Sequence, residues 1–190
     1  MVKCISSLVM LLLCWVSASA QSEKPVEVYL ASGGAFPTGD FNVRYDFGFN
    51  GSAGLGFRVA PHFRLVVKFE VQSFNLDQKA FFDAVSGGDH VSLMTGVDFR
   101  FFKHVPSWPV SPLLLFGGGM AYSSESQLTV GTVTYNTQTE TKPYFNIGVG
   151  VNVRAGHQIG VFVVGRYVRI SSGYTETEFF PITVGIRYPS

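Results

Sequence analysis

Apolar side chains fall on every second residue of the segment 179–188: Phe180, Ile182, Val184, Ile186 and Tyr188, with Thr183, Gly185 and Arg187 between them. A β-strand turns successive side chains to opposite faces, so this pattern makes one apolar and one polar face. The same alternation recurs in seven other segments. In 26–34, Val28 and Leu30 oppose Glu27 and Tyr29. In 46–59, Phe47, Phe49, Ala53, Leu55 and Phe57 oppose Asn50, Ser52, Gly54 and Arg58. In 63–75, Phe63, Leu65, Val67, Phe69 and Val71 oppose Arg64, Lys68, Glu70 and Gln72. In 91–102, Val91, Leu93, Val97, Phe99 and Phe101 oppose Ser92, Asp98 and Arg100. Segment 112–122 alternates less cleanly because of Gly117-Gly118-Gly119. In 144–153, Phe145, Ile147, Val149, Val151 and Val153 oppose Asn146 and Asn152, with Arg154 just beyond, and in 158–170 Ile159, Val161 and Val163 oppose Phe162 and Arg166.

Each segment has the length of a tilted membrane strand, roughly 9–11 residues in the apolar band. Lipid cannot satisfy an open sheet edge, so such strands must close into a barrel, and eight is the smallest even number used. The expected fold is therefore all-β, an eight-stranded antiparallel up-and-down transmembrane β-barrel. A water-soluble barrel of eight strands would need an apolar interior and a polar outside, the reverse of this pattern. The connections agree. Those at 35–45, 76–90, 123–143 and 171–177 are long, and those at 60–62 and 155–157 are short. Membrane barrels have short periplasmic turns and long outer loops, so a periplasmic N-terminus puts the long connections outside. Only 103–111 is long for a turn, and Pro106, Trp108 and Pro109 stiffen it.

The first 20 residues read as a cleaved signal peptide. Lys3 is the positive n-region, 9–16 the apolar core, and Ala18-Ser19-Ala20 the cleavage site, leaving a barrel domain at 21–190. A lipoprotein signal ending at Cys14 is the competing reading, and the large Leu13 before it argues against that. Both cysteines, Cys4 and Cys14, fall in the signal, so the remainder can hold neither disulfide nor thiolate metal site. Without Lys3, basic and acidic residues are equal in number, which argues against a nucleic-acid partner.

The alternating strands, Gly165-Arg166-Tyr167, and Thr183-Val184-Gly185-Ile186-Arg187-Tyr188 carry a resemblance that spans the mature chain. It resembles the small bacterial outer-membrane β-barrel family that includes the OmpA-like and OmpX-like proteins. The resemblance implies residence in the bacterial outer membrane, among its lipid and lipopolysaccharide. It also implies that Phe180, Ile182, Val184, Ile186 and Tyr188 form the C-terminal signal read by the barrel-assembly machinery. The family usually ends on the aromatic residue, whereas here Pro189 and Ser190 follow it.

Fold alone does not assign an activity. Lipid A deacylases share the architecture and carry a His-x-Ser motif on a late strand. The comparable stretch here is Arg169-Ile170-Ser171, and arginine cannot act as a general base. His62, His90, His104 and His157 are scattered over connections and rims, where solvated turn positions are expected, so no metal or other cofactor is expected. The charges assigned to the interior stand out. Glu27, Arg58, Arg64, Arg100, Arg154 and Arg187 should lie near the periplasmic mouth, and Lys68, Glu70, Asp98 and Arg166 deeper. They can be a packed lumen of ion pairs, or a narrow passage preferring anions, since basic residues predominate. Phe47, Phe101, Tyr167, Phe180 and Tyr188 suit interfacial girdles. Phe81-Phe82 make an apolar spot in a loop. Around Gly131-Thr132, the runs 127–130 and 133–135 could extend the fifth and sixth strands as a hairpin with an edge for a partner strand. The expected role is non-enzymatic: a structural or surface-interaction protein that meets a host or surface ligand through its loops. A narrow anion pore is the alternative, and a lipid A-modifying enzyme ranks last.

Overall fold

The computed structural model describes residues 26–77, 85–103, 110–155, 159–171 and 176–189. The strands are β1 (Val26–Thr38), β2 (Tyr45–Ala60), β3 (Phe63–Leu76), β4 (Val85–Gly87), β5 (His90–Phe102) and β6 (Val110–Glu125). They continue with β7 (Leu128–Val130), β8 (Val133–Tyr135), β9 (Gln138–Ala155), β10 (Ile159–Ile170) and β11 (Thr177–Pro189). A short 3-10 helix, η1 (Gly39–Val43), joins β1 to β2. Eight strands close a barrel in the order β1-β11-β10-β9-β6-β5-β3-β2, and β4-β7-β8 form a separate three-stranded sheet. Every barrel pairing is antiparallel, and β11 closes on β1 from Glu27↔Pro189 to Thr38↔Glu178. One end of the barrel carries the short turns and residue 26. The other carries the long connections, and these are called the turn end and the loop end. The proposed signal peptide, Phe81-Phe82, the Pro106–Pro109 stretch, His104 and His157 lie outside the described residues.

Period-2 alternation fixes which side chains face out. Val149 is 64% exposed and Ile147 53%, while Asn146 and Asn152 beside them on β9 are buried. Such an apolar outer surface would drive association in water and is what lipid requires. Phe47, Phe101, Phe180 and Tyr188 are exposed near strand ends, as girdle residues are, and Tyr167 is partly so. Ile182, Val184 and Ile186 complete the outward row of β11.

The interior is not uniformly polar, which corrects the sequence reading. Met94, Phe74, Tyr144, Val168, Ile170 and Phe179 form one apolar cluster with Phe41 and Tyr45. Tyr29, Val66, Phe102, Leu113, Leu115, Phe162 and Val164 form another. The lumen of an eight-stranded barrel is just wide enough for side chains to fill, so inward apolar residues pack on each other instead of meeting water. One residue joins the first cluster through a register shift. The β2–β3 pairing slips between Tyr45↔Leu76 and Gly48↔Phe74, placing an extra residue on β2. This bulge turns Tyr45 inward, against the parity of the rest of the strand.

The hairpin predicted around Gly131 forms, with Gly131 at φ 59° in the left-handed conformation that suits its corner. It does not extend the barrel strands. β6 and β9 pair with each other up to Glu125↔Gln138 without it. Instead β7 pairs with β4, a strand from the preceding connection, from Val85↔Val130 to Gly87↔Leu128. The two longest connections thus share one small sheet, with β8 as an edge.

Candidate functional site

Three carboxylates organise the interior. Glu27, on β1 near the turn end, is fully buried. It accepts hydrogen bonds from Arg64 Nε at 2.9 Å, Arg187 Nη1 at 2.7 Å and the Tyr29 hydroxyl at 2.6 Å. Arg58 Nη2 lies 3.8 Å away. Strands β1, β2, β3 and β11 therefore meet on one carboxylate. Arg64 also sits over the Phe102 ring at 4.4 Å, which disperses charge that Glu27 alone does not balance.

Glu70 and Asp98 do the same at mid-depth. Glu70 takes both Arg166 amino groups in a two-pronged contact, Nη1 at 2.9 Å. It also accepts from Asn50 at 2.6 Å and from Gln72. Lys68 Nζ bridges the two carboxylates, 3.1 Å from each. Asp98 accepts from Asn146 at 3.1 Å and faces Arg100 Nη2 at 3.5 Å. Arg100 then stacks over Tyr29 at 4.6 Å, joining this network to the apolar layer nearer the turn end. Glycines make the room. A Cβ on Gly148 would meet Arg166 Cγ at 2.6 Å, and one on Gly117 would meet Asp98 Oδ1 at 2.4 Å.

The structure thus gathers Glu27, Arg58, Arg64 and Arg187 in one network and Lys68, Glu70, Asp98, Arg100 and Arg166 in another. Arg100 starts beside Arg64 in the β3–β5 register and reaches from there to Asp98 of the deeper one. Arg154 joins neither: it is exposed at the turn end and forms no ion pair among the described residues. It keeps the inward parity of its strand and pairs with Gly160 on β10, one residue beyond the last described β6–β9 pair. Between Lys68, Arg100, Arg166, Leu115 and Phe162 the remaining space is about 20 Å³, room for about one water molecule.

At the loop end, Phe41 of η1 drops into the mouth against Tyr45, Phe74 and His90, with ring centroids 4.5, 5.0 and 5.2 Å away. His90 is 3% exposed, not the solvated rim residue expected from sequence. Its Nε2 lies 2.8 Å from Ser92 Oγ, and its Nδ1 3.9 Å from Glu125 Oε1. The order Ser–His–Glu is that of a hydrolase triad. The sequence reading passed over His90-Val91-Ser92, although strand parity puts residues two apart on one face. However, Ser92 is fully buried, its Oγ is 2.8 Å from Ser123 Oγ, and aromatic rings close over His90. At 169–171, Arg169 pairs with Glu176 and Glu178, and the Ser171 amide donates to the Pro143 carbonyl.

The His90 imidazole holds the Glu125 carboxyl below its ordinary value of 4.5. Burial opposes this, and Tyr45 and Arg44 reinforce it. A depressed carboxyl contributes stability above its unfolded value and loses it as pH falls through the folded one. Protection factors of the amides around 122–130, with the intrinsic pH dependence of exchange divided out, should therefore fall on acidification below about pH 4.5. Glu125→Gln should exchange faster at neutral pH and respond less to acid. An equal acid response in both proteins would place the sensitivity elsewhere.

A family model described as outer membrane protein beta-barrel domain matches residues 6–188. The crystal structure of Neisserial surface protein A is similar, with a TM-score of 0.66 at 15% identity, covering 90% of this chain and all of that one. A major outer membrane protein from Thermus thermophilus gives 0.57 at 12% identity, covering 86% and 98%. Ail, the attachment invasion locus protein of Yersinia pestis, gives 0.54 at 10% identity, covering 88% and 100%. At these identities the structures speak for the fold. Comparison with curated protein sequences returns no match.

Proposed function

Since the chain belongs to the outer-membrane protein β-barrel family, we propose that it is a non-enzymatic surface-interaction protein of the bacterial outer membrane. It is exported through a cleaved signal at 1–20, assembled through the outward row of β11, and faces its partners with the loop end. The observation that carries this reading is the three-stranded sheet built from two loops and held beyond the membrane strands. On it, Val130, Val133 and Tyr135 are exposed, and β8 has no strand on its far side among the described residues. An unpaired strand edge offers backbone donors and acceptors to an extended segment of another protein. The barrel beneath serves as a rigid support. Its packed lumen and the Phe41 cap favour this role over the anion passage, and the burial of Ser92 favours it over catalysis.

Excising 127–136 in favour of a short Gly-Ser link should leave a folded, heat-modifiable barrel. Binding of expressing cells to a protein-coated surface should fall to background. Unchanged binding would remove the hairpin from the interaction. In planar bilayers the intact protein should show no resolved conductance steps, and anion-selective steps would reinstate the pore.

A further inference from the structure

We infer that the loop end also holds a binding cavity for an uncharged saccharide unit, which adjoins the β8 edge through Tyr135. The cavity is partly open to solvent and has a volume of about 340 Å³, within the usual range for small-ligand sites. Distant parts of the chain build its wall: Arg44 and Tyr45 before and at the start of β2, Glu125 ending β6, Tyr135 on β8, and Asn136 and Gln138 entering β9. The cavity lies where the start of β2 meets the loop sheet and the ends of β6 and β9.

A pyranose ring offers an apolar C–H face and a rim of hydroxyls that both donate and accept. The wall matches both demands. Tyr135 is 56% exposed and presents an aromatic ring. Arg44 only donates, Glu125 only accepts while ionised, and the amides of Asn136 and Gln138 do both. Glu125, a carboxylate and hence an acceptor at neutral pH, has His90 Nδ1 3.9 Å from its Oε1. One cation and one anion leave the wall neutral, which suits a polyol rather than an ion. Among the described residues of the loop end, Asp40, Asp46, Asp77, Asp89, Glu140, Glu176 and Glu178 outnumber Lys142 and Arg169, which disfavours sulfated or phosphorylated sugars. The ligand class is a neutral hexose or N-acetylhexosamine unit. Its source is either the sugar portion of the surrounding lipopolysaccharide or a glycan outside the cell.

The test uses the chain refolded in detergent micelles, with folding checked by heat modifiability, and ligand-observed NMR with methyl glucoside, methyl galactoside and N-acetylglucosamine. At least one should bind in the millimolar range. Arg44→Ala and Gln138→Ala should each weaken it about tenfold. Neither residue lies on β8, so both variants should keep binding through the hairpin edge, and failure here is distinguishable from failure of the adhesive reading. Repeating the titration in nanodiscs separates the sources. Loss of free-sugar binding only when lipopolysaccharide is present assigns the site to the protein's own membrane, and retention assigns it to an outside glycan. No binding by the folded protein, binding unaffected by both variants, or stronger binding of glucose 6-sulfate would each overturn the inference.

Discussion

Glu70→Gln should be among the most destabilising single changes in this protein. It removes one negative charge from a site where Arg166 and Lys68 converge, and all three side chains are nearly or fully buried. The amide keeps the shape of the carboxylate, so the effect isolates charge from packing. Breaking a buried pair on one side leaves uncompensated charge and costs about 3–5 kcal/mol. Lys68 retains Asp98 at 3.1 Å, which shields part of the loss, whereas Arg166 has Glu70 as its ion-pair partner. Urea unfolding in phospholipid vesicles, followed by tryptophan fluorescence and by gel mobility, measures the difference. A companion variant separates charge from position: replacing Glu70 by Leu and Arg166 by Met together removes the orphaned cation and should recover much of the stability, because a buried pair exchanged for apolar residues is often close to neutral. If Glu70→Gln unfolds within about 0.5 kcal/mol of the parent, water must reach the network freely, and the packed lumen described above is wrong.

The barrel is legible because period-2 alternation reports faces, and closure follows from the chemistry of lipid rather than from any particular residue. Faces do not report depth or partners. Glu70 and Arg166 both read as inward, but nothing in their 96-residue separation says that they meet. Arg154 reads as inward by the same rule and lies in the open. Tyr45 has the wrong parity and becomes internal only through the bulge. The loop sheet is half legible: Gly131 marks the hairpin locally, whereas the pairing of β7 with β4 joins residues about forty positions apart in segments too short to alternate convincingly. His90 reads as solvated because a position near a rim says nothing about Phe41, which η1 carries over it from another loop. The mixed interior escapes the pattern for a related reason. Tyr29, Phe162 and Leu115 share the inward face with the charges, and only their packing shows that the lumen is layered rather than wet.

Gly148→Val should damage the same network from the backbone side. Gly148 lies on β9, opposite Arg166 on β10 and Leu115 on β6. A Cβ there would stand 2.6 Å from Arg166 Cγ and 2.7 Å from the Gly165 carbonyl oxygen. The side chain of Arg166 can retreat, but only by leaving Glu70, while the carbonyl belongs to the barrel wall. Overpacking of this kind costs about 1–3 kcal/mol, with loss of the ion pair added to it. Gly51→Val is the control. It is the same substitution on a barrel strand, but Gly51 faces outward and its Cβ would meet only the Phe49 ring, at 3.3 Å. Lipid gives way there, so the loss should be much smaller. The decisive reading is the double variant with Glu70→Gln. If Gly148 matters because it makes room for Arg166, the valine acts through the same pair, and the combined loss should fall short of the sum by about 0.5–3 kcal/mol. Strict additivity would mean that the glycine serves strand packing alone, and that the space around the arginine was not what required it.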